Sequence, residues 1–170
     1  MRKTIRILCY NPNVFMLEQL VETWQINNRI NLYLLDAIAP ENLSAALLSK
    51  GRSAGEQFAH VHNVRLMWIK ASLPEILGKS AKIEKENALD KALLRKSFEE
   101  SGEMISELLK KSVEHEDGRV KGFKPHVTAF LAYLVSHESH HRSQIILALK
   151  QAGQTLDKKI LFGIWEWGTR

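Results

Sequence analysis

Cysteine is nearly absent from this chain. Cys9 is the one thiol among 170 residues, so no intrachain disulfide can form and nothing indicates an oxidising compartment. Long hydrophobic runs are missing too. No apolar stretch approaches the length of a membrane span, and the N-terminus lacks the apolar core and cleavage site of a signal peptide. We therefore expect a cytoplasmic protein that does not enter a membrane.

A concentrated basic face is also lacking. The net charge is +5 and the pI is about 9.4, but the lysines and arginines are scattered along the chain. A nucleic-acid interface needs clustered positive charge and a recognition motif, so DNA binding is disfavoured. The hydrophobic fraction of 45% is ordinary for a globular protein, and the length fits one domain over residues 1–170 with a sizeable core.

Four stretches carry apolar residues at helical spacing. They predict long helices over about 14–38, 54–73, 88–114 and 125–151, and hence an all-α four-helix bundle. Ser53 and Glu56 match a capping box at the start of the second helix, and Gly153 suits the end of the fourth. Gly102 would allow a close approach of the third helix to a neighbour. A strand-prone N-terminal arm precedes the bundle, and an apolar tail over 156–170 is expected to pack across it or across a partner subunit.

Two histidines lie on the apolar stripe of the fourth helix. The stripe comprises Phe130, Leu134, His137, His141, Ile145 and Ala148. Residues i and i+4 of a helix lie one above the other, so the two imidazoles can reach one point, as in helical zinc motifs. Two buried neutral imidazoles side by side would otherwise leave several polar atoms needing partners.

A third ligand is expected from the second helix. His60 lies on its predicted inward stripe, which continues through Val64, Met67, Trp68 and Ala71. Metal sites in helix bundles are built from side chains on facing helices. His60, His137 and His141 are therefore the predicted metal ligands.

The polar residues around these ligands receive other assignments. His140 is a rival ligand, but its direction on the helix favours the bundle surface or a supporting contact. Gln144 either lines the pocket or bonds a neighbour, and both interpretations stay open. Arg142 and Glu138 are expected on the outside, Trp68 in the core. The remaining histidines are expected to be exposed: His62, His115 and His126.

These motifs resemble a known family. SAGEQFAHVHNVRLMWI, SHESHHRSQI and the late GIWEWG are similar to segments of the DinB/YfiT-like superfamily of metal-dependent enzymes, over about residues 14–168. The family signature pairs a histidine eight residues before an aromatic, here His60 and Trp68, with H-x-x-x-H-R-x-Q, here from His137 to Gln144. Ser143 departs from the family's frequent glycine. The resemblance implies an up-up-down-down bundle, a divalent metal on three histidines, and often a homodimer.

Relatives of that superfamily include enzymes that transfer low-molecular-weight thiols such as bacillithiol or mycothiol. Three imidazoles leave coordination positions open, where zinc or nickel could activate water or hold a thiol as thiolate. We therefore expect a thiol S-transferase or a hydrolase acting on a small-molecule substrate. The alternative is a non-catalytic bundle or interaction module that the metal only stabilises. Metal occupancy is expected to fall as the pH drops through the range in which histidine protonates.

Overall fold

The structure is a computed structural model that describes residues 12–49, 51–115 and 117–170. Four long helices dominate it: α1 (Pro12–Ala37), α2 (Ala54–Ser72), α3 (Lys91–Glu114) and α4 (Val127–Gln151). A short helix, α5 (Lys158–Gly163), and several 3₁₀ turns complete the chain. The predicted all-α bundle is confirmed, and the described residues contain no strand. The up-up-down-down order stays a prediction, and the N-terminal arm with Cys9 lies outside the described residues.

Local capping chemistry sets the helix ends. The capping box is confirmed: the Glu56 N–H donates to Ser53 Oγ at 3.3 Å, and the Ser53 N–H donates to Glu56 Oε2 at 2.7 Å. α3 begins at Lys91 rather than near residue 88, because the Asp90 carboxylate accepts the Leu93 N–H at 2.9 Å. α4 begins after His126, whose Nδ1 accepts the Ala129 N–H. Gly153 follows α4 with a φ of 77°, as a C-terminal glycine should.

The apolar core consists of two clusters stacked along the bundle. The upper cluster includes Leu34, Phe58, Phe98 and Ile145, and the lower cluster includes Trp24, Ile69, Ile105, Phe130 and Leu134. Between them, the middle turns of all four long helices supply buried polar side chains instead. We call these residues the polar layer: Asn27, Asn28, Asn31, Arg65, Ser101, Glu138 and Arg142.

The predicted inward stripe of α2 is wrong. Met67 is 50% exposed and Ala71 is also exposed, whereas Val61, Leu66 and Ile69 are buried. α2 lies against both α3 and α4, so its buried surface is centred away from His60, which lies at the α2–α4 boundary. Leu89 falls within the range predicted for the third helix, but it is 49% exposed because α3 begins only two residues later.

Three polar residues predicted to lie outside are buried. His62 is 1% exposed because the segment before α3 covers it, and its Nε2 lies 3.2 Å from the Ala81 carbonyl oxygen. Glu138 and Arg142 are 1% and 6% exposed. Periodicity of apolar residues cannot identify such positions, since each of these side chains is buried against polar partners from elsewhere in the chain rather than by being apolar.

The tail packs against the bundle, chiefly beside α1. Ile164 contacts the upper apolar cluster, and the Arg170 guanidinium lies over the Tyr33 ring at 3.7 Å from its centroid. Phe162 and Trp165 nevertheless remain 70% and 77% exposed. Packing across a partner subunit stays a prediction. Among the described residues, no helix combines the length and apolarity needed to cross a membrane.

Candidate metal centre

Three imidazoles converge at the boundary between α2 and α4, level with the polar layer. His60, His137 and His141 each present a ring nitrogen, and these atoms lie within 4.8 Å of one another. The Nε2 atoms of His137 and His141 are 3.2 Å apart. His141 is buried, whereas His60 and His137 are half-buried and remain open on one side. The spacing of the sequence thus brings all three predicted ligands to one point that could hold a metal ion.

Gln57 orients the most buried of these rings. His141 Nδ1 lies 2.6 Å from Gln57 Oε1. An amide oxygen only accepts hydrogen bonds, so Nδ1 must carry the proton and donate it. The lone pair of His141 then lies on Nε2, which is the atom facing His137. This is the tautomer that a metal ligand needs, and such a partner on the second nitrogen is usual for ligating histidines.

The support continues outward from Gln57 through two more side chains. The Gln57 Nε2 amide donates to Gln144 Oε1 at 2.7 Å, and the Gln144 Nε2 amide lies 2.8 Å from His140 Nε2. His140 is therefore outside the three-histidine group and serves at the end of this chain, on the surface. Gln144 bonds its neighbours, which favours the second of its two predicted roles.

The three rings are held in their neutral form. The pKa of His141 is lowered to about 3, chiefly by burial and in addition by the neighbouring His137 and His60, because cations so close would repel. Burial also lowers the pKa values of His60 and His137. For His60 the positive charge of Arg52 adds to this effect. Neutral imidazoles are the form that binds metal, so the site is prepared for a cation at neutral pH.

The polar layer lies directly behind the histidines. The Glu138 carboxylate accepts four hydrogen bonds: from Arg65 Nε and Nη2 at 2.7 and 2.9 Å, and from Asn27 and Asn31 at 2.7 and 2.6 Å. Arg142 Nη1 donates to the side-chain oxygens of the same two asparagines. Glu138 follows a predicted ligand in sequence, yet both of its oxygens accept hydrogen bonds from buried side chains. It is a structural residue of the bundle interior.

An aromatic group flanks the open side of His137. The Tyr133 ring stacks on His137 at a centroid distance of 6.0 Å, and Trp68 and Phe123 follow at 5.9 and 5.7 Å from Tyr133. Trp68 is half-buried at the edge of the lower cluster rather than fully inside the core. These rings form an aromatic wall beside His137.

Sequence reasoning missed Gln57 and the polar layer. Gln57 lies one turn before His60, as Gln144 lies one turn after His141, and this placement of two glutamines was the available signal. For the polar layer the signal was three asparagines, Asn27, Asn28 and Asn31, close together in one helix, where asparagine is a weak helix former. His115 and His126 are exposed as predicted.

The comparison with protein families decides which family the chain is part of. The model of the DinB family matches residues 10–158. The chain belongs to the DinB family. No curated protein and no solved structure was found to match it. The DinB match spans α1 to α4 and so includes all three histidines of the group.

Proposed function

We propose that this DinB protein is a metal-dependent enzyme whose divalent ion, zinc or nickel, is held by His60, His137 and His141. The observation that carries the proposal is the convergence of three neutral imidazoles within 4.8 Å. Nitrogen donors of this kind suit zinc, nickel and other late first-row metals. Bound there, the ion would supply Lewis acidity at the coordination positions that the protein leaves open.

The protein's own residues have distinct parts in this proposal. Gln57 keeps the lone pair of His141 on Nε2, and Gln144 keeps Gln57 in place. Tyr133 holds the ring plane of His137. Among the described residues no fourth His, Cys, Asp or Glu joins the group, which favours a catalytic site over a closed structural one.

The three-histidine group is also the basis for proposing a reaction type. The reaction is of the thiol S-transferase or hydrolase type, acting on a small molecule and in the former case using a low-molecular-weight thiol. We also propose that the chain folds as one cytoplasmic domain and forms a homodimer. A non-catalytic, metal-stabilised bundle is the competing function, and the buried position of His141 between the helices is the observation that supports it.

Elemental analysis of purified protein tests the metal site. We expect about one equivalent of zinc or nickel in the wild type and loss of that metal in His60→Ala, His137→Ala and His141→Ala, because two imidazoles bind such ions far more weakly than three. His115→Ala removes an exposed histidine outside the group and should keep the metal. Undiminished metal in all three ligand variants would remove the site.

A Co²⁺-substituted sample separates the two functions. Visible absorption bands of the cobalt protein should shift when azide is added if a coordination position is open. Bands that do not respond to azide would indicate a closed site and favour the structural function.

A further inference from the structure

A small cavity opens on the side of His60 that faces away from the polar layer. It lies between α2 and the segment that precedes α3, and its lining includes Arg52, Glu56, His60, Glu84 and Lys85. Asn63 fixes its far wall, since its side chain exchanges two hydrogen bonds of 2.9 Å with the backbone of Ile83. The cavity volume is about 250 Å³, which suits a group of a few heavy atoms.

The cations around this cavity are not equivalent. Lys85 pairs with Glu56 at 3.2 Å, and Glu56 is itself held by the capping box. Among the residues that the structure describes, Arg52 has no hydrogen-bond or ion-pair partner, and its side chain is exposed. A guanidinium is a rigid fork that matches carboxylate and phosphate groups, and an unpartnered one can bind them without first breaking another pair.

Arg52 lies beside the three-histidine group. Arg52 and His60 both line this cavity, so the cavity connects the guanidinium with one of the three imidazoles. Arg52 is the unpaired cation among the residues that line the cavity, so it is the one available to a molecule bound beside His60.

We propose that Arg52 is a specificity-determining residue, which selects substrates bearing a carboxylate or similar anionic group next to the atoms that the metal binds. The inference rests on the proposed function, because the metal anchors the substrate that Arg52 then recognises. Glu84 is the opposing charge at the same cavity, and it would instead favour a substrate bearing an ammonium group.

Hydroxamates of matched size provide the test with Co²⁺-loaded protein. Acetohydroxamate carries the metal-binding hydroxamate alone. Succinic monohydroxamate adds a carboxylate to it, the terminal amide of that compound adds a neutral amide, and β-alanine hydroxamate adds an ammonium group. Dissociation constants come from the cobalt absorption bands. We expect the carboxylate to bind about tenfold tighter than the amide in the wild type, as one charge-assisted pair allows.

Substitutions at the two cations of the cavity show which of them causes the preference for the carboxylate over the amide. Arg52→Gln should bring the carboxylate and the amide to equal affinity, and Arg52→Lys should keep part of the difference. Lys85→Gln, which removes the paired cation of the same cavity, should keep all of it. Neither position is buried, so these variants should fold.

The possible results distinguish failure of the proposed metal site from failure of the role of Arg52 alone. Protein that takes up no Co²⁺, or whose bands respond to no hydroxamate, overturns the proposed function and this inference with it. If acetohydroxamate binds but the carboxylate has no advantage, or keeps its advantage in Arg52→Gln, the role of Arg52 alone is wrong. Tightest binding of the ammonium compound would assign the cavity to Glu84 and likewise overturn it.

Discussion

Gln57 shows how one side chain determines what a buried imidazole can do. Its amide oxygen accepts the Nδ1 proton of His141 at 2.6 Å and so directs the Nε2 lone pair toward the other two rings. Without that partner, His141 can rotate or adopt the other tautomer, and either change removes a donor from the group. Gln57 lies on the first turn of α2, one turn before His60, so one helix supplies both a proposed ligand and the support of another.

We expect Gln57→Ala to weaken metal binding about 10- to 100-fold, the usual loss when a ligand's supporting hydrogen bond is removed. Gln57→Glu should retain most of the affinity because a carboxylate also accepts the Nδ1 proton. Competition with a chromophoric chelator measures both. Gln25→Ala, on the groove between α1 and α3, is the control. Unchanged affinity in Gln57→Ala would contradict the role of this hydrogen bond.

Among the residues that the structure describes, Glu138 is the one buried carboxylate, and it balances the arginines of the polar layer. Replacing it with glutamine leaves Arg65 charged and without its carboxylate, and breaking a buried ion pair in this way costs about 3–5 kcal/mol. Urea unfolding of Glu138→Gln should show a loss of that size. Glu107→Gln, which removes an exposed partner of Lys111, should change the free energy of unfolding by less than about 0.5 kcal/mol. Equal losses in the two variants would mean that the buried pair has no special weight.

At the scale of elements, α1 and α3 approach closely at Gly102. The Trp24 indole N–H donates to the Gly102 carbonyl oxygen at 2.8 Å, and a Cβ at this position would overlap the Asn28 side-chain amide. The close approach predicted for this glycine is therefore confirmed. It positions Asn28 to accept from Arg65 Nη1 at 2.8 Å, so the contact between two helices also orients the polar layer.

We expect Gly102→Ala to destabilise the protein by about 1–3 kcal/mol, because the added methyl group must displace Asn28 or separate the helices. Thermal and urea unfolding measure the loss. Gly168→Ala places a methyl group where nothing lies within 4 Å and should be close to neutral. A variant of Gly102 that is as stable as the wild type would show that α1 can shift without cost.

At the scale of the whole molecule, the polar layer and the three-histidine group lie between the two apolar clusters. Burial lowers the pKa values of His60, His62, His137 and His141, so these groups stay neutral in the folded protein at pH values where the unfolded chain protonates them. The unfolded state then binds more protons as the pH falls below about 6.5, the ordinary pKa of histidine. Folding of the metal-free protein is therefore opposed by acid in this range.

We expect the free energy of unfolding in the presence of EDTA to be highest above about pH 6.5 and to decline steadily toward pH 5. His62→Gln, which removes a titrating group that is not a proposed ligand, should make the decline shallower. Urea unfolding at half-unit intervals of pH measures both slopes. Stability that stays constant or rises from pH 7 to pH 5 would contradict the lowered pKa values. For the same reason, metal loss on acidification should begin at a lower pH than ordinary histidines would give.

The sequence alone predicted several features: the four long helices, the capping box, the glycine at position 153, and the convergence of His60, His137 and His141. The helices, the capping box and the glycine at the helix end depend on interactions between residues a few positions apart, or on apolar residues recurring at helical spacing, and both are visible along the chain. The pair at positions 137 and 141 needed only helix geometry. The addition of His60 needed one further rule, that facing helices share a metal site.

Only the packed structure shows that His62, Glu138 and Arg142 are buried and that Gln57 is the partner of His141. It alone also places Arg52 and His60 at one cavity. A charged side chain is buried when a second charge from another helix pairs with it. The sequence does not state which helices are in contact or how each helix is rotated about its axis. Arg65 and Glu138 are 73 positions apart, and Gln57 and His141 are 84 apart. Periodicity within one helix reports its apolar face, whereas these polar contacts depend on how the four helices are placed relative to one another.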